Sequence, residues 1–123
     1  MIILDYQDRR PIYKQIAEKL QVLINKGIIE TDSQMPSVRK LAMDLSINPN
    51  TIQRVYALLE SKGYIYPIKG RGNFVSPRED FIDAEKGQFF VDLKAHTQQG
   101  ITMGVLLEEV IACIEKAYKE EKS

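Results

Sequence analysis

The sharpest punctuation in this chain is Asn48-Pro49. Asparagine is a favoured N-cap, because its side-chain oxygen accepts from a backbone N–H that the first helical turn leaves free. Proline at the next position loses nothing by lacking its own N–H. The pair predicts a helix running from there to a stop at Gly63. On a helical wheel Ile52, Val55, Tyr56 and Leu59 fall within about 100° of arc, one apolar face. Asn50, Gln53, Arg54, Ala57 and Ser61 fall on the opposite arc. That outer arc is polar, lacks a carboxylate and is small at its middle, whereas a merely solvated helix scatters Glu and Lys there.

The elements around this helix complete a pattern. Upstream, a helix is expected from Arg10 or Pro11, with Ile12, Ile16, Leu20, Leu23 and Ile24 as its stripe and Gly27 as its stop. Ser37 is placed to cap a second helix of about two turns that carries Val38, Leu41, Ala42 and Leu45 on one face. The turn Ser46-Ile47-Asn48 then joins it to the third helix, with Leu45, Ile47 and Ile52 placed to fill the crossing. Downstream, Tyr64-Ile65-Tyr66 and Asn73-Phe74-Val75-Ser76 read as strands joined by the basic, glycine-rich tip Ile68–Gly72. Helix, short helix, longer helix and hairpin are the layout of a winged helix-turn-helix. The expected fold class is α+β and mostly α: a winged helix-turn-helix over 1–76, then a two-helix dimerisation segment over 77–123.

The second part is read less sharply. Ser76-Pro77-Arg78-Glu79 fits a capping box, so a helix can start at once, but Gly87 argues against one unbroken helix from 77 to 99, and a break or an irregular lead-in up to about Ala84 is expected. Phe89, Phe90, Leu93 and His96 keep a helical rhythm until Gly100, and Thr102 reads as the next N-cap. Leu106, Val110, Ile114 and Ala117 stripe a last helix. Two lone helices cannot hide so many apolar side chains, so Phe81, Ile82, Phe89, Phe90, Leu93, Leu106, Leu107, Val110, Ile111 and Ile114 are expected to form a homodimer interface. The alternative is that they fold back on the winged domain of their own chain.

Charge and residue counts narrow the function classes. The net charge of zero hides a split: residues 1–78 carry 12 Lys and Arg against 7 Asp and Glu, whereas residues 79–123 carry 5 against 10. A basic half followed by an acidic one suggests that the first meets a polyanion. The one cysteine, Cys113, cannot form an intramolecular disulfide, and with a single histidine, His96, it cannot complete a four-ligand zinc site within one chain. No metal, cofactor or catalytic residue is expected; there is no nucleophile–base pair and no phosphate-cradling glycine loop to assemble an enzyme. The start Met1-Ile2-Ile3-Leu4 reaches Asp5 too soon for a signal segment, and no apolar run is long enough to span a membrane. A cytoplasmic protein is expected.

Residue chemistry then assigns roles against double-stranded DNA. Asn50 and Gln53 can pair a donor and an acceptor with an adenine edge, and Arg54 can reach guanine or phosphate. Thr51 suits a phosphate beside the free N–H groups of the helix start. Arg39 should reach the groove edge or backbone, and Ser37 can serve as both cap and phosphate ligand. Lys69 and Arg71 flank Gly70 where a bare backbone can approach phosphate or the minor groove. The rival is a winged helix used as a protein-interaction adaptor without DNA affinity, which predicts acidic or apolar residues where Asn50, Gln53 and Arg54 stand.

Several stretches match a known pattern together: Pro11-Ile12-Tyr13-Lys14-Gln15-Ile16, Met35-Pro36-Ser37-Val38-Arg39-Lys40-Leu41-Ala42, and Asn48 to Tyr56 followed by Leu59-Glu60 and Gly63-Tyr64-Ile65. Gly70-Arg71-Gly72-Asn73-Phe74-Val75 closes it. Together they resemble the N-terminal domain of the GntR family of transcription regulators, and the Asn-Pro-Asn-Thr form with a short tail is similar to the YtrA subfamily. The resemblance implies a homodimeric repressor on an inverted-repeat operator, often near membrane-transporter genes. It implies DNA contacts at Ser37, Arg39, Asn50, Thr51, Gln53, Lys69 and Gly70, with Arg54 and Arg71 as supporting charges. The larger, effector-binding C-terminal domain of the family has no counterpart in the short tail, so no effector is assigned. One departure is Thr31-Asp32 where the family has Pro-Gly, which implies a looser loop before the second helix.

Overall fold

The computed structural model of the protein describes residues 4–122, so the apolar start Met1-Ile2-Ile3 lies outside the described residues. The chain forms two compact units, one up to Ala84 and one from Glu85 on. Its helices are α1 (Ile12–Asn25), α2 (Val38–Leu45), α3 (Pro49–Ser61), α4 (Ile82–Thr102) and α5 (Leu107–Lys122), and its strands are β1 (Ile65–Ile68) and β2 (Gly72–Val75). None of the described helices is long and apolar enough to cross a membrane.

In the first unit local chemistry closes each element where expected. Ser37 accepts from the Lys40 N–H at 3.1 Å, and Asn48 accepts from the Asn50 N–H at 2.8 Å with Pro49 as the first helical residue. Gly27 ends α1 with a φ of +74°, and Ser46 takes the left-handed region at +55° to turn α2 tightly toward α3. β1 and β2 pair antiparallel, Ile65 opposite Val75 and Ile68 opposite Gly72, which leaves Lys69–Arg71 as the tip. The core gathers the apolar faces anticipated for all three helices: Ile16, Val55, Ile52, Leu59 and Val75 are fully buried. Leu45 and Ile47 pack against it half-buried, at the α2–α3 crossing.

The loop before α2 differs from expectation. It is not loose: Asp32 N–H donates to the Val75 carbonyl at 2.8 Å, Val75 N–H to Ser33 at 3.0 Å, and Met35 N–H to Asn73 at 2.8 Å. Residues 32–35 thus run along the free edge of β2 as a strap. Asp32 itself adopts a φ of +62°, which aspartate tolerates better than most residues, and its carboxylate accepts from the Tyr66 hydroxyl at 2.8 Å.

Beyond the hairpin the structure departs from expectation in several places. The composition changes near residue 77, yet the first unit continues to Ala84, because Phe81, expected at the dimer interface, is instead buried in this unit's core with its ring 4.5 Å from that of Tyr64. Ser76 starts no helix; it is buried, its N–H donates to the Tyr64 carbonyl at 2.9 Å, and a single 3-10 turn, Arg78–Asp80, leads into α4. Of the two expected interruptions the irregular lead-in is present, as that turn, and the break is not: α4 runs through Gly87, since one helical glycine costs only about 1 kcal/mol and twenty neighbouring residues outweigh it. Thr102 does not cap α5 but ends α4, its hydroxyl donating back to the Gln98 carbonyl at 3.2 Å, and Gly104 makes the break with a φ of +85°. The start of α5 is closed instead by Glu109, whose carboxylate accepts from the Leu106 N–H at 2.9 Å.

The second unit has no buried residue in either helix. Phe89, Phe90, Leu106, Leu107, Ile111 and Ile114 are exposed, and Leu93 and Val110 are half-buried. Between α4 and α5 lies a groove of about 440 Å³ lined chiefly by apolar side chains, among them Leu93, Ile101, Val105, Val110 and Ile114.

Candidate nucleic-acid interface

The outer arc of α3 is as bare as its sequence implied. Asn50, Gln53 and Arg54 are exposed and Thr51 is half-buried, while Ile52, Val55, Tyr56 and Leu59 face inward. The arc is presented by a helix whose other side is wholly fixed in the core, so its side chains move with a rigid element. Ahead of it, the start of α2 leaves Arg39 exposed; its neighbour Lys40 is drawn into an ion pair with Asp44 at 3.3 Å, one turn along the same helix.

The α2 start is tied to α3 by one hydrogen bond. The Tyr56 hydroxyl donates to the Pro36 carbonyl at 2.7 Å, next to the capping Ser37. Burial pushes the Tyr56 phenol up to about 12. The folded-state value lies above the unfolded one of about 10, so the stability this group contributes is whole below pH 10 and is lost as pH rises towards 12. Tyr56→Phe is expected to cost about 1 kcal/mol at neutral pH and to abolish that alkaline component. Urea melts at pH 7 and pH 11 measure both, and a variant as alkali-sensitive as its parent would contradict the assignment.

The hairpin tip is exposed at Lys69, Gly70 and Arg71. Gly70 has a φ of +79° and nothing within 4 Å of where a Cβ would stand, so its backbone is open to an approaching group. The tip is braced from the strap: the Gln34 amide donates to the Arg71 carbonyl at 2.7 Å. Three residues beyond Gln34 the chain reaches Ser37. One segment, 32–37, therefore bonds to both hairpin strands, accepts from α3 and caps α2. It joins the three elements that carry the candidate contacts.

Arg54 alone among the candidate residues has a side-chain partner of its own. Its guanidinium carbon lies 3.9 Å from the centre of the Tyr13 ring in α1, and its Nη2 donates to the Tyr13 hydroxyl at 3.3 Å. Neither Tyr13 nor Gln34 is reached by reasoning from motifs of local spacing. Tyr13 stands in a stretch that fits a family pattern, yet nothing in its neighbours points to a residue 41 positions away. Gln34 lies in an aperiodic loop and pairs across 37 positions.

The sequence profile of the bacterial regulatory proteins of the gntR family matches residues 12–75. The HTH-type transcriptional repressor YtrA of Bacillus subtilis is 41% identical over 76 residues, and the matched stretch covers 62% of this chain and 58% of that protein. The chain therefore spans little more than half the length of that relative. A GntR family transcriptional regulator from Listeria monocytogenes superposes with a TM-score of 0.75 at 32% identity, covering 92% of this chain and 98% of the other. The AraR DNA-binding domain in complex with operator ORR3 superposes with a TM-score of 0.53 at 30% identity, over 60% of this chain and 89% of that one.

Proposed function

We infer, from the premise that this chain belongs to the gntR family of bacterial regulatory proteins and is thus a DNA-binding transcription regulator, that it is a homodimeric repressor reading an inverted-repeat operator. The observation that carries the reading is the carboxylate-free outer arc of α3, exposed and rigidly backed, with the cationic tip at Lys69 and Arg71 on the same winged fold. In this reading α3 enters the major groove, about 12 Å wide, and Asn50 and Gln53 read base edges. Arg39 and Arg54 reach the groove edge or phosphates. Thr51 and Ser37 add hydroxyl contacts to the backbone, and Lys69, Gly70 and Arg71 follow the adjacent minor groove.

Dimerisation is supported by the second unit. Two helices that bury no side chain while exposing Phe89, Phe90, Leu106, Leu107, Ile111 and Ile114 are an incomplete core, and a second copy of the same surface completes it. Two protomers then double the base contacts across a two-fold axis, which is how modules with one recognition helix reach useful discrimination. The acidic charge of residues 79–123 is tolerable only away from phosphates, which suits a dimerisation role. An operon beside the protein's own gene, with a membrane transporter among its products, is the target this reading favours. Sequencing the DNA flanking the gene and selecting bound duplexes from a random pool test both points.

Gln53→Ala isolates the reading function. Base preference is expected to relax at one operator position by about 1–3 kcal/mol, with affinity for random duplex nearly unchanged. Equal weakening on every sequence would refute Gln53 as a reader. Failure of the parent protein to bind any duplex at low ionic strength would refute the DNA reading altogether.

A further inference from the structure

Tyr13 belongs to α1, the helix to which the function above gives no part, yet it holds a cation of the candidate recognition surface. The Arg54 guanidinium lies over the Tyr13 ring with its carbon 3.9 Å from the centroid, and Nη2 donates to the ring's own hydroxyl at 3.3 Å. Tyr13 is itself half-buried and packs against the core, so the platform is fixed. We propose that Tyr13 is a positioning residue that holds Arg54 as a preformed clamp for a DNA phosphate. This rests on the DNA reading above and adds a residue to it.

The chemistry follows from the shape of the two groups. The guanidinium carries five N–H donors in the fork that matches a phosphate, and the contact over the ring uses none of them. One of these donors is used on the Tyr13 hydroxyl. A free arginine would have to be ordered when DNA arrives, which weakens association by about twofold to tenfold for each long side chain immobilised. Here the side chain is already held, in an orientation set by α1 and not by α3 alone. The arrangement also separates the tasks on α3: Arg54 is drawn towards α1 and the backbone, leaving Asn50 and Gln53 to the bases.

The test uses the full chain and a labelled random-sequence duplex of about 30 base pairs, long enough for three helical turns, at low ionic strength. Tyr13→Leu is expected to weaken binding about twofold to tenfold per protomer. Tyr13→Phe, which keeps the stack, should restore affinity to within about twofold of the parent. In an Arg54→Ala background, Tyr13→Leu should change nothing further, and Arg54→Ala alone should lower the slope of log affinity against log salt by about one per protomer. Equal weakening by Tyr13→Leu with and without Arg54 would overturn the proposal, since packing alone would then explain it. Parent-like binding by Tyr13→Leu would overturn it too. Should leucine prevent folding, the free parent decides: an upfield, ring-shifted Arg54 Nε–H resonance supports the clamp, and a random-coil shift overturns it. A parent that binds no duplex overturns the underlying DNA reading, a different failure from either of these.

Discussion

Val110→Asp is expected to convert the protein to monomers and to weaken its hold on an operator by more than about a hundredfold. Val110 lies on α5 and lines the groove facing Leu93 and Ile101 of α4. In a two-fold dimer built on that surface the substitution places two carboxylates in apolar surroundings. An unpaired buried charge costs several kcal/mol, or drives the surfaces apart to remain in water. The winged domain should be untouched, because its core cluster, from Ile16 to Phe81, draws on no residue of α5. The loss on DNA then has a simple origin. A monomer keeps one recognition helix, half the base contacts are gone, and each contact discriminates by about 1–3 kcal/mol. Light scattering measures the first effect and operator titration the second. A variant that remains a dimer would discard the α4–α5 surface as the interface.

Ile52→Ala should strongly destabilise the first unit. Ile52 is fully buried on the inner arc of α3, two positions from Asn50 and adjacent to Gln53 in sequence. Removing its outer carbons leaves a cavity, and such truncations cost about 2–5 kcal/mol. Against a total stability of about 5–15 kcal/mol that is a large share, and for a domain of this size Tm falls by about 4–8 °C per kcal/mol. The same side chain keys α3 to the core, so the outer arc should lose its fixed orientation and selectivity for operator over random duplex should drop with stability. Urea melts give the first quantity and competition binding the second. A loss below about 1 kcal/mol would mean that α3 is not anchored as described.

Some of this architecture was readable before any coordinate. The caps at Ser37 and Asn48, the stop at Gly27 and the two arcs of α3 all depend on residues within four positions of one another. Elsewhere tertiary contacts override local chemistry. Ser76-Pro77-Arg78-Glu79 has the letters of a capping box, but Ser76 is held in a buried position by Tyr64. Thr102 has the chemistry of an N-cap and instead ends the preceding helix. Thr31-Asp32 lacks the glycine that a positive φ favours, yet Asp32 takes that conformation because three strap hydrogen bonds and the Tyr66 hydroxyl hold it.

In the first unit the identity of each helix, its buried face and the polar arc of α3 were determined by the order of residues alone, because a helix brings positions three and four apart together whatever surrounds it. The tertiary structure alone decided that Tyr13 carries Arg54, that Gln34 braces the wing and that Tyr56 ties α3 to the start of α2. Those pairs lie 20 to 41 positions apart, and no periodicity links them. Each exists only once the core has closed the intervening loops, which is a property of the packed molecule and not of any segment within it.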